Sequence, residues 1–193
     1  MRASSLTPEM VVAAYCRGWF PMADAHGEIG WYDPPQRAIF IPGEEHISRR
    51  LARTLRSGRF VVAINRDFEA TIRACADRPE TWISEEIIAV YCELHRLGLA
   101  HSVETYRDDA LVGGLYGVAL GGAFFGESMF SRATDASKVA FAVLCQRLRE
   151  RGFTLLDAQF MTPHLASLGA RLVSRAEYLR LLREALVHDC VFA

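Results

Sequence analysis

An α+β fold is predicted by two patterns in the sequence. Between His101 and Met129, three strand-like runs follow one another with only short turns between them, as an antiparallel meander requires. Capped segments of helical periodicity lie before and after that meander rather than between its strands, which sets helices against a largely antiparallel sheet. With 193 residues, 51% hydrophobic and 23% charged, the chain has apolar surface for a sizeable core, as one large domain or two small ones.

Thr7 is placed to cap a helix that begins at Pro8 and stops at Arg17-Gly18. From Trp19 to Pro42, glycine, proline and aromatic residues recur too closely for a long helix and indicate short strands and turns. An arginine-rich helix follows within His46 to Arg59, then a strand in RFVVAIN and a helix from Asp67 to Cys75. Ser84 caps a stronger helix, with Glu85 and Glu86 in its first turn, Ile87, Tyr91 and Leu94 on one face, and Gly98 as its stop. The meander strands are His101 to Tyr106, Ala110 to Leu120 and Ala123 to Met129. Asp135 is expected to cap a long helix from Ala136 to Arg151, closed by Gly152. FTLLDAQF reads as a buried strand, Thr162-Pro163 opens a short helix through Leu168, and Ser174-x-x-Glu177 is a capping box for the last helix. From residue 61 onward this order suits an N-acetyltransferase type (GNAT-like) α+β domain. Gly58 and a change in composition put a boundary near residue 60, giving a small N-terminal domain, 1–60, and a larger one, 61–193.

Several function classes are disfavoured. No uninterrupted apolar run reaches the roughly 18 residues of a membrane span, and MRASSLTPEM carries no apolar signal-peptide core. A cytoplasmic protein is expected. The cysteines Cys16, Cys75, Cys92, Cys145 and Cys190 are odd in number, scattered and never spaced C-x-x-C, so neither a disulfide framework nor a metal site is expected. A serine elbow, a phosphate-binding P-loop and an H-E-x-x-H pair are all missing from the sequence.

Charge is unevenly spread. His46 to Arg59 carries Arg49, Arg50, Arg53, Arg56 and Arg59 without an acid, a charge of +5 in a chain of net −1. At 100° per residue, Arg49, Arg53 and Arg56 fall within about 60° of one another, forming a stripe. Such a stripe suits phosphate, though a solvated helix face is the plainer explanation.

Three polar residues sit inside apolar runs: Glu127 in FFGES, and Asp157 with Gln159 in LLDAQF. Alternation along a strand would put Asp157 and Gln159 on one face. Singly, each has a structural explanation: Asp157 as a helix cap, Gln159 at a strand edge, Glu127 paired with Arg132 or Lys138. Together they suggest a site, because each buried polar group left unpaired costs about 1–3 kcal/mol.

The segments AYCRGWFPM, TWIS, YCELHRLGLAHSVETY, LVGGLYGVALGGAFFGESMFSRATDASK, LLDAQF and TPHLASLGA closely resemble the bacterial leucyl/phenylalanyl-tRNA protein transferases, and the likeness spans nearly the whole chain. That resemblance implies transfer of leucine, phenylalanine or, less well, methionine from aminoacyl-tRNA to proteins beginning with arginine or lysine, marking them for degradation. It implies leucyl-tRNA, phenylalanyl-tRNA and those acceptors as partners, no cofactor, no metal and a monomer. Gln159, Asp157 and Glu127 take the catalytic positions, Asp157 orienting Gln159, with Glu127 at the donor amine or the basic acceptor. Phe124, Leu115, Met129, Leu144 and Leu148 fall in the aminoacyl side-chain pocket. Tyr15, Arg49 and Trp82 match positions near the aminoacyl-adenosine end, Trp82 stacking on adenine and Arg49 meeting the 3′ phosphate or ribose, with Arg53 and Arg56 extending that track. Met22 stands where an aromatic is frequent in the family.

Two other readings compete. An acyl-CoA-dependent N-acyltransferase of similar fold would need an R-x-x-G-x-G/A loop before a helix, which the sequence lacks. A noncatalytic RNA-binding module explains the arginine stripe but not the Asp157/Gln159 pair.

Overall fold

Thr7 caps α1 (Pro8–Tyr15), its hydroxyl accepting from the Met10 amide. The computed structural model describes residues 6–193, so the first five residues of the expected N-terminal domain lie outside the described residues. Short strands follow as expected: β1 (Phe20–Ala23) pairs antiparallel with β2 (Ile29–Tyr32), and β3 (Gln36–Phe40) comes next. Ser48 caps the arginine helix α2 (Arg49–Arg56), and Ser84 caps α4 (Glu85–Arg96) through the Ile87 amide. Between them lie β4 (Val61–Ile64) and α3 (Phe68–Ala76). The meander is β5 (Ala100–Arg107), β6 (Ala110–Leu120) and β7 (Ala123–Ser131), followed by α5 (Ala136–Glu150) and β8 (Leu155–Asp157). The chain ends in α6 (Pro163–Ser167), β9 (Arg171–Ser174) and α7 (Arg175–Leu186).

Seven strands of the described residues form one sheet in the order β4-β5-β6-β7-β8-β3-β9. Only the β7–β8 pairing is parallel, and α5 is the crossover that a parallel pair requires. The sheet continues across the division expected near residue 60, since β3 lies between β8 and β9 and pairs antiparallel with both. No helix among the described residues is long and apolar enough to cross a membrane.

Both faces of the sheet are covered. Ile87, Tyr91 and Leu94 of α4 join Val118 and Phe125 in one core, while Phe141, Leu144 and Leu148 of α5 join Phe124 and Leu156 in the other. Neighbours Phe124 and Phe125 thus serve opposite cores, as the strand pleat demands.

Two local expectations change. Asp135 makes no side-chain cap; its backbone is left-handed, with φ of 70°, and its carboxylate instead accepts from Arg50 on α2. The Ser131 hydroxyl accepts the Ser137 amide at that helix start. The regular strand in FTLLDAQF stops at Asp157, because Gln159 adopts φ of 56°, although its carbonyl still accepts from the Ala38 amide of β3 at 3.0 Å.

Candidate active site

A β-bulge places Glu127. In the β6–β7 register, Gly117 faces Gly126 and Tyr116 faces Ser128, so Glu127 is the extra residue of β7. A side chain at Gly117 would collide with the Phe125 carbonyl and the Phe124 ring, so glycine permits this close approach. The bulge also reverses alternation. Phe124 and Met129, an odd number of residues apart, both reach the α5 side of the sheet.

Glu127 is 8% exposed and belongs to a buried hydrogen-bonded chain. Its Oε1 accepts from Gln159 Nε2 at 2.9 Å and its Oε2 from the Tyr91 hydroxyl at 3.2 Å. The Tyr91 hydroxyl in turn lies 2.5 Å from that of Tyr15. Burial pushes the Glu127 carboxyl up to about 7, the Asp157 charge adding to the effect while the tyrosine hydroxyls and Arg37 oppose it. Burial, and then the Glu127 charge, hold Tyr15 and Tyr91 well above the ordinary tyrosine range, so both remain donors.

Asp157 ends β8 opposite Ile39 of β3, and Arg37 lies two residues along on the same face. Arg37 Nε donates to Asp157 Oδ1 at 3.0 Å and Nη2 to Oδ2 at 2.8 Å. Tyr178 adds a hydrogen bond to Oδ2 at 2.8 Å. The guanidinium is clasped between the rings of Phe20 and Tyr178, 4.5 and 4.4 Å from their centroids. Burial opposes its charge, but the Asp157 carboxylate raises its pKa overall. Asp157 Oδ1 also accepts the Gln159 amide at 2.9 Å, which fixes the left-handed turn and aims the Gln159 side chain at Glu127. The three polar residues flagged in the sequence therefore meet, through this turn rather than through strand alternation.

They edge a cavity of about 280 Å³. Leu115, Met129 and Leu144 line it, joined by Phe40, Phe141 and Leu156, and Met22 and Trp82 also contribute to its wall. Phe124 and Leu148 are fully buried beside it in the α5 core and do not line it. Tyr15 is fully buried and reaches Glu127 through Tyr91. Arg49, Arg53 and Arg56 lie exposed on α2 and are not part of the cavity lining.

Sequence reasoning missed Arg37 and Tyr178. For Arg37 the signal was available: an arginine inside QRAIF is as anomalous as Glu127 inside FFGES. Tyr178 gave none, since a tyrosine on an amphipathic helix reads as packing.

The sequence comparison decides the family. Residues 39–183 match the family described as leucyl/phenylalanyl-tRNA protein transferase, and residues 4–35 match its N-terminal domain. The chain belongs to this leucyl/phenylalanyl-tRNA protein transferase family. It is an aminoacyltransferase. Among relatives of that name, the protein of Rubrobacter xylanophilus is 58% identical, the alignment covering 97% of this chain and 99% of that one. One from Cereibacter sphaeroides is 56% identical over 100% of this chain and 91% of its own. A third, from Gloeobacter violaceus, is 54% identical over 97% and 98%. Similar solved structures include a GCN5-related N-acetyltransferase from Kribbella flavida, with 17% identity, TM-score 0.48 and coverage of 72% of this chain and 53% of that one. L-PGS from Bacillus licheniformis is 13% identical at TM-score 0.46, covering 92% and 70%.

Proposed function

We propose that this transferase moves leucine or phenylalanine, and methionine less well, from aminoacyl-tRNA to the α-amine of a protein that begins with arginine or lysine. The product marks the acceptor for degradation, and the enzyme works as a cytoplasmic monomer. The observation that carries this reading is an apolar cavity edged by the hydrogen-bonded pair Glu127 and Gln159. Such a cavity accepts a bulky apolar side chain while its polar edge faces the ester.

The ester is already activated, so the chemistry needs positioning and proton handling rather than a covalent nucleophile. The acceptor amine attacks the ester carbonyl, a new C–N bond forms, and the C–O bond to the terminal ribose breaks. Before attack the acceptor ammonium must lose a proton. An α-amine with a pKa of roughly 7.7–8.0 is nearly matched by Glu127, whose carboxyl sits at about 7 and can receive that proton. Gln159 supplies its remaining Nε2–H to the developing oxyanion, and Asp157, clamped by Arg37, holds the Gln159 backbone in place. The attacking nitrogen sheds a second proton as the amide forms, and the ribose oxygen takes up that proton and leaves as a hydroxyl.

Trp82 offers a face for the terminal adenine. Arg49, Arg53 and Arg56 continue a phosphate track outside the cavity. Tyr15 acts from within, steadying Glu127 by way of Tyr91, and Phe124 and Leu148 support the pocket from the adjoining core.

The test is incubation with labelled leucyl- or phenylalanyl-tRNA and peptides beginning with Arg, Lys, Asp or Ala. Label should enter the Arg and Lys peptides; none on either refutes the reading. Gln159→Ala should lower kcat by roughly 10²–10³. Transfer at the parent rate would remove Gln159 from the mechanism.

A further inference from the structure

Arg78 stands at the edge of the same cavity, between the end of α3 and Trp82. Its guanidinium is tethered twice. Nε donates to the Cys75 carbonyl at 2.8 Å and Nη2 to the Ser128 hydroxyl at 2.6 Å. Ser128 follows the bulge residue Glu127, so the feature that turns Glu127 inward also sets this anchor. Both anchors are neutral, and among the described residues Arg78 forms no ion pair. The two carboxylates of the cavity are engaged elsewhere: Asp157 by Arg37, Tyr178 and the Gln159 amide, and Glu127 by Tyr91 and Gln159. The positive charge of this exposed guanidinium is therefore tethered in place without a carboxylate partner, with Nη1 free to donate.

Only one of the two proposed substrates brings the complementary charge. The acceptor arrives with an α-amine and a basic side chain, which a guanidinium repels. The donor's carboxyl is tied up in the ester, so its nearest anion is the phosphodiester on the 5′ side of the terminal adenosine. Trp82, the proposed adenine platform, lines the same cavity, whereas Arg49 does not. Resting on the proposed function, we infer that Arg78 binds this last internucleotide phosphate and so fixes the adenosine with its ester carbonyl at Gln159. The planar fork suits a phosphate, and two tethers reduce the entropy lost when it binds.

The test compares two minimal donors with an Arg-peptide acceptor: phenylalanyl-adenosine, which lacks phosphate, and phenylalanyl-cytidylyl-adenosine, which carries this one phosphodiester. In the parent the second donor has the lower KM. In Arg78→Gln that advantage shrinks by roughly 10- to 100-fold, and Arg78→Lys keeps part of it because charge remains without the fork. Calorimetry with cytidylyl-adenosine that bears no amino acid gives a second readout: the slope of log affinity against log salt should be shallower in Arg78→Gln by roughly 0.7. An equal loss with both donors refutes the assignment and leaves Arg78 as a prop for Ser128. Unchanged KM values for both donors refute it as well. A parent enzyme that transfers from neither donor nor from charged tRNA refutes the proposed function itself, which separates the two failures.

Discussion

Replacing Glu127 by glutamine should stabilise the protein at alkaline pH while impairing transfer. The carboxyl is buried, and its pKa rises from the ordinary 4.5 to about 7. Between those values the folded state keeps a proton that the unfolded chain has lost, so stability falls as pH rises from 4.5 through 7. At about 1.4 kcal/mol for each pH step, the parent has lost about 3 kcal/mol by pH 8 relative to pH 4. Glutamine does not titrate and still offers an oxygen to Tyr91 or Gln159, so it escapes this loss, less about 1 kcal/mol for an altered hydrogen bond. Urea unfolding at pH 5 and pH 8 measures it: the two proteins should be similar at pH 5, with the variant more stable by about 2 kcal/mol at pH 8. That corresponds to a Tm about 4–8 °C higher at pH 8. A stability difference that does not change with pH refutes a buried, raised carboxyl, and an unimpaired transfer rate refutes its role as proton acceptor.

Arg37→Met should destabilise the fold by about 3–5 kcal/mol, because Asp157 would remain buried without its counter-charge, and urea midpoints measure the loss. Arg37→Lys should rescue little, since an ammonium cannot fork to both Asp157 oxygens while lying between the rings of Phe20 and Tyr178; full rescue refutes the clamp. Replacing Arg49, Arg53 and Arg56 together by alanine should weaken tRNA binding and reduce the salt slope by about 2. An unchanged slope would make the stripe a solvated face. Leu144→Phe, which narrows the cavity, should raise KM for phenylalanyl-tRNA more than for leucyl-tRNA; equal effects refute Leu144 as a wall of the side-chain pocket.

The sequence by itself determined the elements that depend on nearest neighbours. Helices capped by Thr7, Ser84, Thr162 and Ser174 appear where those hydroxyls predict them, since a cap satisfies amides only two or three residues away. The meander was equally legible, because its strands are joined by short turns that pair each with the next. The oddity of Glu127, Asp157 and Gln159 among apolar residues was legible too, since burial of polar groups demands partners.

Only the tertiary structure decided who those partners are. Arg37 and Asp157 are 120 residues apart and meet because β3 enters the sheet beside β8, a pairing that no local pattern encodes. The bulge at Glu127 depends on the register between two strands, and it alone brings Phe124 and Met129 to one side. Alternation predicted that Asp157 and Gln159 would share a face, but the left-handed backbone at Gln159 joins them instead. Backbone handedness and strand register are set by long-range packing and hydrogen bonding. Residue order therefore announced that buried polar groups must be satisfied, and the fold chose the geometry that satisfies them.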